Sequence, residues 1–238
     1  MTLAGRAPLA ERALARRVLE VPPSGIRRFF DILATMDDVI SLGVGEPDFD
    51  TPERIVAAGV RSLHNGRTHY TSNYGTIELR RALAAHLENR YGVAYDPATE
   101  LLITVGASEA VDLALRATCD PGDEVILHEP SYVAYAPAVT FAGGVVRHVA
   151  TRLEDDFALD PAAVEAAITP RTKALFLGYP CNPTGAVLPD DVHAELAAIA
   201  ARHDLLVYSD EIYDRLAYGD YVHRAASALP GIDRKSVV

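Results

Sequence analysis

Two short runs, residues 173–177 (Lys-Ala-Leu-Phe-Leu) and 205–208 (Leu-Leu-Val-Tyr), each stop abruptly at polar residues, and residues 189–202 between them have helical spacing. Runs that are apolar at consecutive positions suit strands buried on both faces of a parallel sheet. Strand, crossover helix and parallel strand make a βαβ unit, which commits the chain to an open α/β sheet. Ligands of such sheets bind outside the carboxyl ends of the strands. Asn182 and Asp210 fall there, with Tyr213 just beyond.

A carboxylate, an amide and a phenol at one place suit an aromatic nitrogen heterocycle that also carries a ring oxygen. The carboxylate favours the protonated ring nitrogen, because an opposite charge within a few ångströms stabilises the cation. Asn182 and Tyr213 can both donate to the oxygen. Pyridoxal 5′-phosphate (PLP) makes this demand of a protein.

Asn182-Pro183-Thr184-Gly185 followed by Ser209-Asp210-Glu211-Ile212-Tyr213 is a specific pair. On these residues the chain resembles the fold-type I, PLP-dependent aminotransferases of class I, in the aspartate aminotransferase-like branch, over nearly its whole length. The resemblance implies a three-layer α/β/α large domain with a mostly parallel sheet, PLP-binding and here incomplete, over residues 46–238. Residues 1–45 would be an N-terminal arm and part of a small domain. It also implies an enzyme that moves an amino group from an amino acid to a 2-oxo acid, as a homodimer with shared active sites.

Earlier stretches fit the same expectation. Residues 101–105 read as a buried strand, and Gly106-Ala107-Ser108-Glu109-Ala110 turns directly into a helix over 111–117. A small-residue turn at a helix N-terminus offers free N–H groups and a positive dipole end, which suit a phosphate. Taken alone, the residues favour an ordinary N-cap; the resemblance assigns Ala107 and Ser108 to the cofactor phosphate. Tyr132 lies past the end of a strand over 124–127, where an aromatic ring can stack on a planar cofactor or pack in the core. The resemblance assigns it the stacking role. It likewise gives Gly45, in the loop 43–49, to the substrate's α-carboxylate, together with Asn182. Tyr70, in a polar loop, would reach the neighbouring subunit's cofactor phosphate.

The remaining local readings are short. Ser24 caps a helix over about 26–35, residues 39–42 form a short strand, and Pro52 opens a helix at its first position. Residues 129–135 form a loop, residues 143–149 a turn and strand, and Asp160 caps a crossover helix over 161–168. Residues 1–20 read as an amphipathic arm, since Glu11 and Glu20 count against a transit peptide.

Composition narrows the surroundings. A net charge of −11 argues against nucleic acid or an anionic membrane as partner, and no apolar run approaches the ~20 residues that cross a bilayer. Two cysteines give no disulfide framework and fit a reducing compartment such as the cytoplasm. Cys181 has no base beside it and reads as a packing residue. The eight histidines lack metal-ligand spacing, and His193 and His203 read as solvated.

The resemblance also implies a lysine that forms the Schiff base with PLP, about six residues beyond Val238. Lys235 stands too close to Asp210 for that role and reads as a surface residue. The sequence is therefore expected to be a piece of a longer enzyme. Another fold-type I reaction, such as a β-lyase's elimination, and a non-catalytic truncated partner chain stand as alternatives.

Overall fold

The structure is a computed structural model and describes residues 13–23, 32, 33, 35, 36, 38–40, 45, 49–232 and, as backbone, 236 and 237. In chain order its elements are helices α1 (Arg16–Leu19), α2 (Glu53–His64), α3 (Ile77–Tyr91) and α4 (Ala107–Thr118), strand β1 (Glu124–Glu129), α5 (Tyr135–Ala142), β2 (Val145–Ala150), α6 (Pro161–Ala166), β3 (Thr172–Gly178), α7 (Asp190–Arg202), β4 (Leu206–Asp210) and β5 (Ser236–Val237). The strands form one sheet in the order β2-β1-β3-β4-β5, and every neighbouring pair is parallel.

The consecutive apolar residues of the central strands serve two cores. Ile126, Leu175, Leu177 and Val207 pack on one face with Val164 of α6 and Leu196, Ala197 and Ala200 of α7. Their sequence neighbours Val125, Leu127, Ala174, Phe176 and Tyr208 pack on the other with Leu115 of α4 and Tyr135 and Val139 of α5. Side chains of a strand alternate between faces, so a run buried at every position needs a layer on each side. The result is the three-layer α/β/α arrangement.

The crossover helices start where the sequence signals them. The Asp160 carboxylate accepts the Ala162 N–H at 2.9 Å, with Pro161 in the first turn. Asp190 and Asp191 stand in the first turn of α7, where the helix dipole favours negative charge.

Five local expectations change. Residues 101–105 form no strand: Leu102 and Val105 are exposed, and the Ile103 N–H goes to the Tyr74 carbonyl instead of a ladder. A strand needs another strand beside it to form a ladder, and among the described residues no strand pairs with this segment. Val39 and Ile40 likewise carry no strand. Pro52 is the N-cap of α2 rather than its first residue. Residues 135–142, whose first residue reads from sequence as loop, form α5. His193 is buried at 6% exposure on the inner side of α7, against the expectation of a solvated face, because the helix packs that side into the core. His203 is partly exposed and pairs with Glu165 at 3.0 Å. The Ser24 cap and Lys235 lie outside the described residues, as does most of the helix expected over 26–35.

Candidate active site

Strands β3 and β4 end level, with Gly178 opposite Asp210 in the register. The chain leaves β3 into the loop bearing Asn182 and leaves β4 into the turn bearing Ile212 and Tyr213. On the other side, β1 feeds the loop that carries Tyr132 into α5, and Gly106 delivers the N-terminus of α4. These ends enclose a pocket of about 260 Å³ whose lining includes Ala107, Ser108, Tyr132, Asn182, Asp210 and Tyr213. Six residues singled out in the sequence thus meet in one space. Gly45 and Tyr70 do not line it; the Tyr70 side chain is fully exposed.

Asp210 is held at both oxygens. Oδ1 accepts the Ile212 N–H at 3.1 Å, and Oδ2 accepts the Tyr135 hydroxyl at 2.7 Å. No cation pairs with it among the described residues, so the pocket presents a fixed carboxylate to whatever enters. Burial, reinforced by the charge of Asp210, pushes the Tyr135 phenol far above its usual range, so it remains a donor.

Tyr135 is the functional residue that sequence reasoning missed. Its ring lies 4.3 Å from Phe176 and meets Tyr132 edge-on at 5.5 Å. It reaches Asp210 by passing over Gly178, where a Cβ would stand 2.9 Å from its ring and hydroxyl. Tyr135 and Val139 are both buried, one helical turn apart, and that spacing was the available signal.

Asn182 Nδ2 donates to the Tyr213 hydroxyl at 3.4 Å, which leaves the phenol's own hydrogen to donate elsewhere. At the far end, Gly106 takes φ 82°, which glycine tolerates, and no side chain caps α4. The N–H groups of Ala107 and Ser108 therefore open toward the pocket with the positive end of the helix behind them. Cys181 is buried with its thiol on the Pro130 carbonyl at 3.6 Å, as a packing residue would be.

A carboxylate, a helix N-terminus and aromatic side chains thus line one pocket at the carboxyl ends of the strands of an α/β domain. The chain belongs to the class I and II aminotransferase family, whose sequence profile matches residues 37–237. It is 46% identical to the putative aminotransferase YugH of Bacillus subtilis and 43% identical to the aspartate aminotransferase of Pyrococcus abyssi. In each comparison the match covers 94% of this chain and 58% of the relative. The solved aspartate aminotransferase of Thermus thermophilus with maleate superposes with a TM-score of 0.87 at 40% identity, again over 94% of this chain and 58% of that one. The chain thus spans rather more than half the length of the proteins it matches. Among the described residues no helix is long and apolar enough to cross a membrane.

Proposed function

We propose that this chain is the cofactor-binding part of a PLP-dependent aminotransferase that moves an amino group from an amino acid to a 2-oxo acid. Residues 46–238 would form the large domain and residues 1–45 the arm and part of the small domain. The observation that carries the reading is Asp210: a carboxylate fixed by Tyr135 and Ile212, with no cation paired to it among the described residues, in a pocket that also takes in a helix N-terminus with no side-chain cap. The donor set fits the cofactor.

Each residue then has a task. Asp210 holds a proton at the pyridine nitrogen, and Tyr135 keeps the carboxylate turned toward it. Asn182 and Tyr213 donate to the ring oxygen. Ala107 and Ser108 take the phosphate on backbone N–H groups, to which the Ser108 hydroxyl adds a donor. Tyr132 would lie against the ring, and Ile212, Val111 and Ala138, which also line the pocket, would exclude water from it. Bound PLP supplies an electron sink for charge that develops at a substrate's α-carbon, and its protonated ring is the stronger sink. Gly45 and Asn182 would contact the substrate's α-carboxylate. Tyr70, fully exposed and outside this pocket's lining, would serve the phosphate of a partner subunit in a homodimer. Two buried, unpaired cysteines suit a reducing compartment such as the cytoplasm.

The test is binding of pyridoxamine 5′-phosphate to the chain and to Asp210→Ala, followed by calorimetry. Removing a charge-assisted hydrogen bond should weaken binding by roughly 1.5–3 kcal/mol, and excess inorganic phosphate should compete. Equal affinity of the two chains would sink the assignment. In the polypeptide that carries this sequence at its relatives' full length, formation of a new amino acid from an added 2-oxo acid, without release of ammonia, separates transamination from elimination.

A further inference from the structure

Directly after Asp210, which faces the pocket, Glu211 turns back into the body of the protein. Its side chain is 8% exposed and takes three donors: Ser209 Oγ and the Ala226 N–H, both at 2.8 Å on Oε1, and His223 Nε2 at 2.9 Å on Oε2. The His223 side chain is 3% exposed, and its Nδ1 is buried with no partner among the described residues, so Glu211 is the ring's one polar tie among them. Three residues on, Asp214 accepts a hydrogen bond from the Tyr91 hydroxyl and pairs with Arg90 at 3.4 Å, both on α3. The Tyr91 ring meets His223 edge-on at 5.9 Å. The turn that carries Tyr213 is therefore pinned on either side of that residue.

A buried pair of this kind is a poor way to gain stability, since desolvation offsets most of the attraction, and the best-attested use of such pairs is to select one arrangement over others. The arrangement at stake here is the position of Tyr213. Its hydroxyl meets Asn182 Nδ2 at 3.4 Å, already a long hydrogen bond, so a small shift of the turn would part the two groups. Ala107 and Ser108, on α4, have no link to this clamp.

We infer that Glu211, held by His223, is a positioning residue that sets the Tyr213–Asn182 pair and hence the protein's grip on the ring oxygen of the cofactor, leaving the grip on the phosphate unaffected. The inference rests on the PLP reading above.

Three probes test it on the full chain: pyridoxamine 5′-phosphate, its 3-deoxy counterpart without the ring oxygen, and pyridoxamine without the phosphate. The wild-type chain should prefer the first over the second by about tenfold, the value of one good hydrogen bond. Glu211→Gln and His223→Leu should erase that preference while the preference for the phosphate changes by less than about twofold. His223→Gln, whose amide N–H can replace Nε2–H, should recover it. Variants that keep the full ring-oxygen preference, or lose both preferences in step, overturn the positioning role. A wild-type chain indifferent to both groups overturns the PLP reading itself.

Discussion

His128 offers a way to test the loops of the site by acid alone. It sits on β1 at 1% exposure with its ring 4.5 Å from that of Tyr179. Its Nε2 lies 3.3 Å from the Gly178 N–H and must accept, so Nδ1 carries the hydrogen and donates to the Pro130 carbonyl at 3.1 Å. The ring thus staples the end of β3, which leads to Asn182, to the loop that leads to Tyr132. Burial pulls its pKa from 6.5 down to about 4, because a charged ring would lose its hydration and set a second N–H against that of Gly178. Between those values the unfolded chain binds more protons than the folded one. The contribution is therefore complete above about pH 6.5 and fades as the pH falls toward about 4. Taking those two values, cooling the pH from about 7.5 to about 5 should cost roughly 2 kcal/mol. Urea unfolding of the wild type and of His128→Gln at both pH values measures it. The glutamine carbonyl can still accept from Gly178 but does not titrate, so the wild type should lose about 2 kcal/mol more than the variant. His193, whose pKa burial also lowers, is common to both chains. The carboxylates of Glu165 and Asp96, held below their usual range by hydrogen bonds, give up their contributions only below about pH 4.5. Equal losses in the two chains would refute the staple.

Gly178→Ala would place a methyl 2.9 Å from Tyr135, which Phe176 and Tyr132 prevent from moving freely. A cost of about 1–3 kcal/mol in thermal unfolding is expected, together with weaker binding of pyridoxamine 5′-phosphate through the disturbed Asp210. Phe176→Ala, which empties a fully buried position between Tyr135 and Tyr208, should cost about 3–5 kcal/mol in urea.

The βαβ unit was legible because strands buried on both faces leave unbroken apolar runs and residues 189–202 keep helical spacing, while Asp160 marks the start of the other crossover helix by local chemistry. The pocket residues could be named because Asn182, Asp210 and Tyr213 each stand at or just past a strand end. Residues 101–105 failed for a reason their composition cannot express: Leu-Leu-Ile-Thr-Val is strand-like, but a strand also needs a neighbour in the sheet. Tyr135 was hidden because α5 contains Pro137 and is apolar nearly all round, so no polar face announces it. His193 was misjudged because α7 carries charge on most of one side, and a single histidine does not reveal which side it joins. The Glu211–His223 pair joins residues on either side of an irregular turn, beyond the reach of any helical or strand periodicity.

The central claim is that Asp210 holds a proton on the ring nitrogen of the cofactor. Nitrogen-15 NMR of pyridoxamine 5′-phosphate labelled in the ring reads that proton directly. Bound to the wild-type chain, the ring should stay protonated at a pH where the free compound has lost its proton, and Asp210→Ala should abolish the difference. A bound ring that titrates like the free one, or one unaffected by the substitution, would contradict the account.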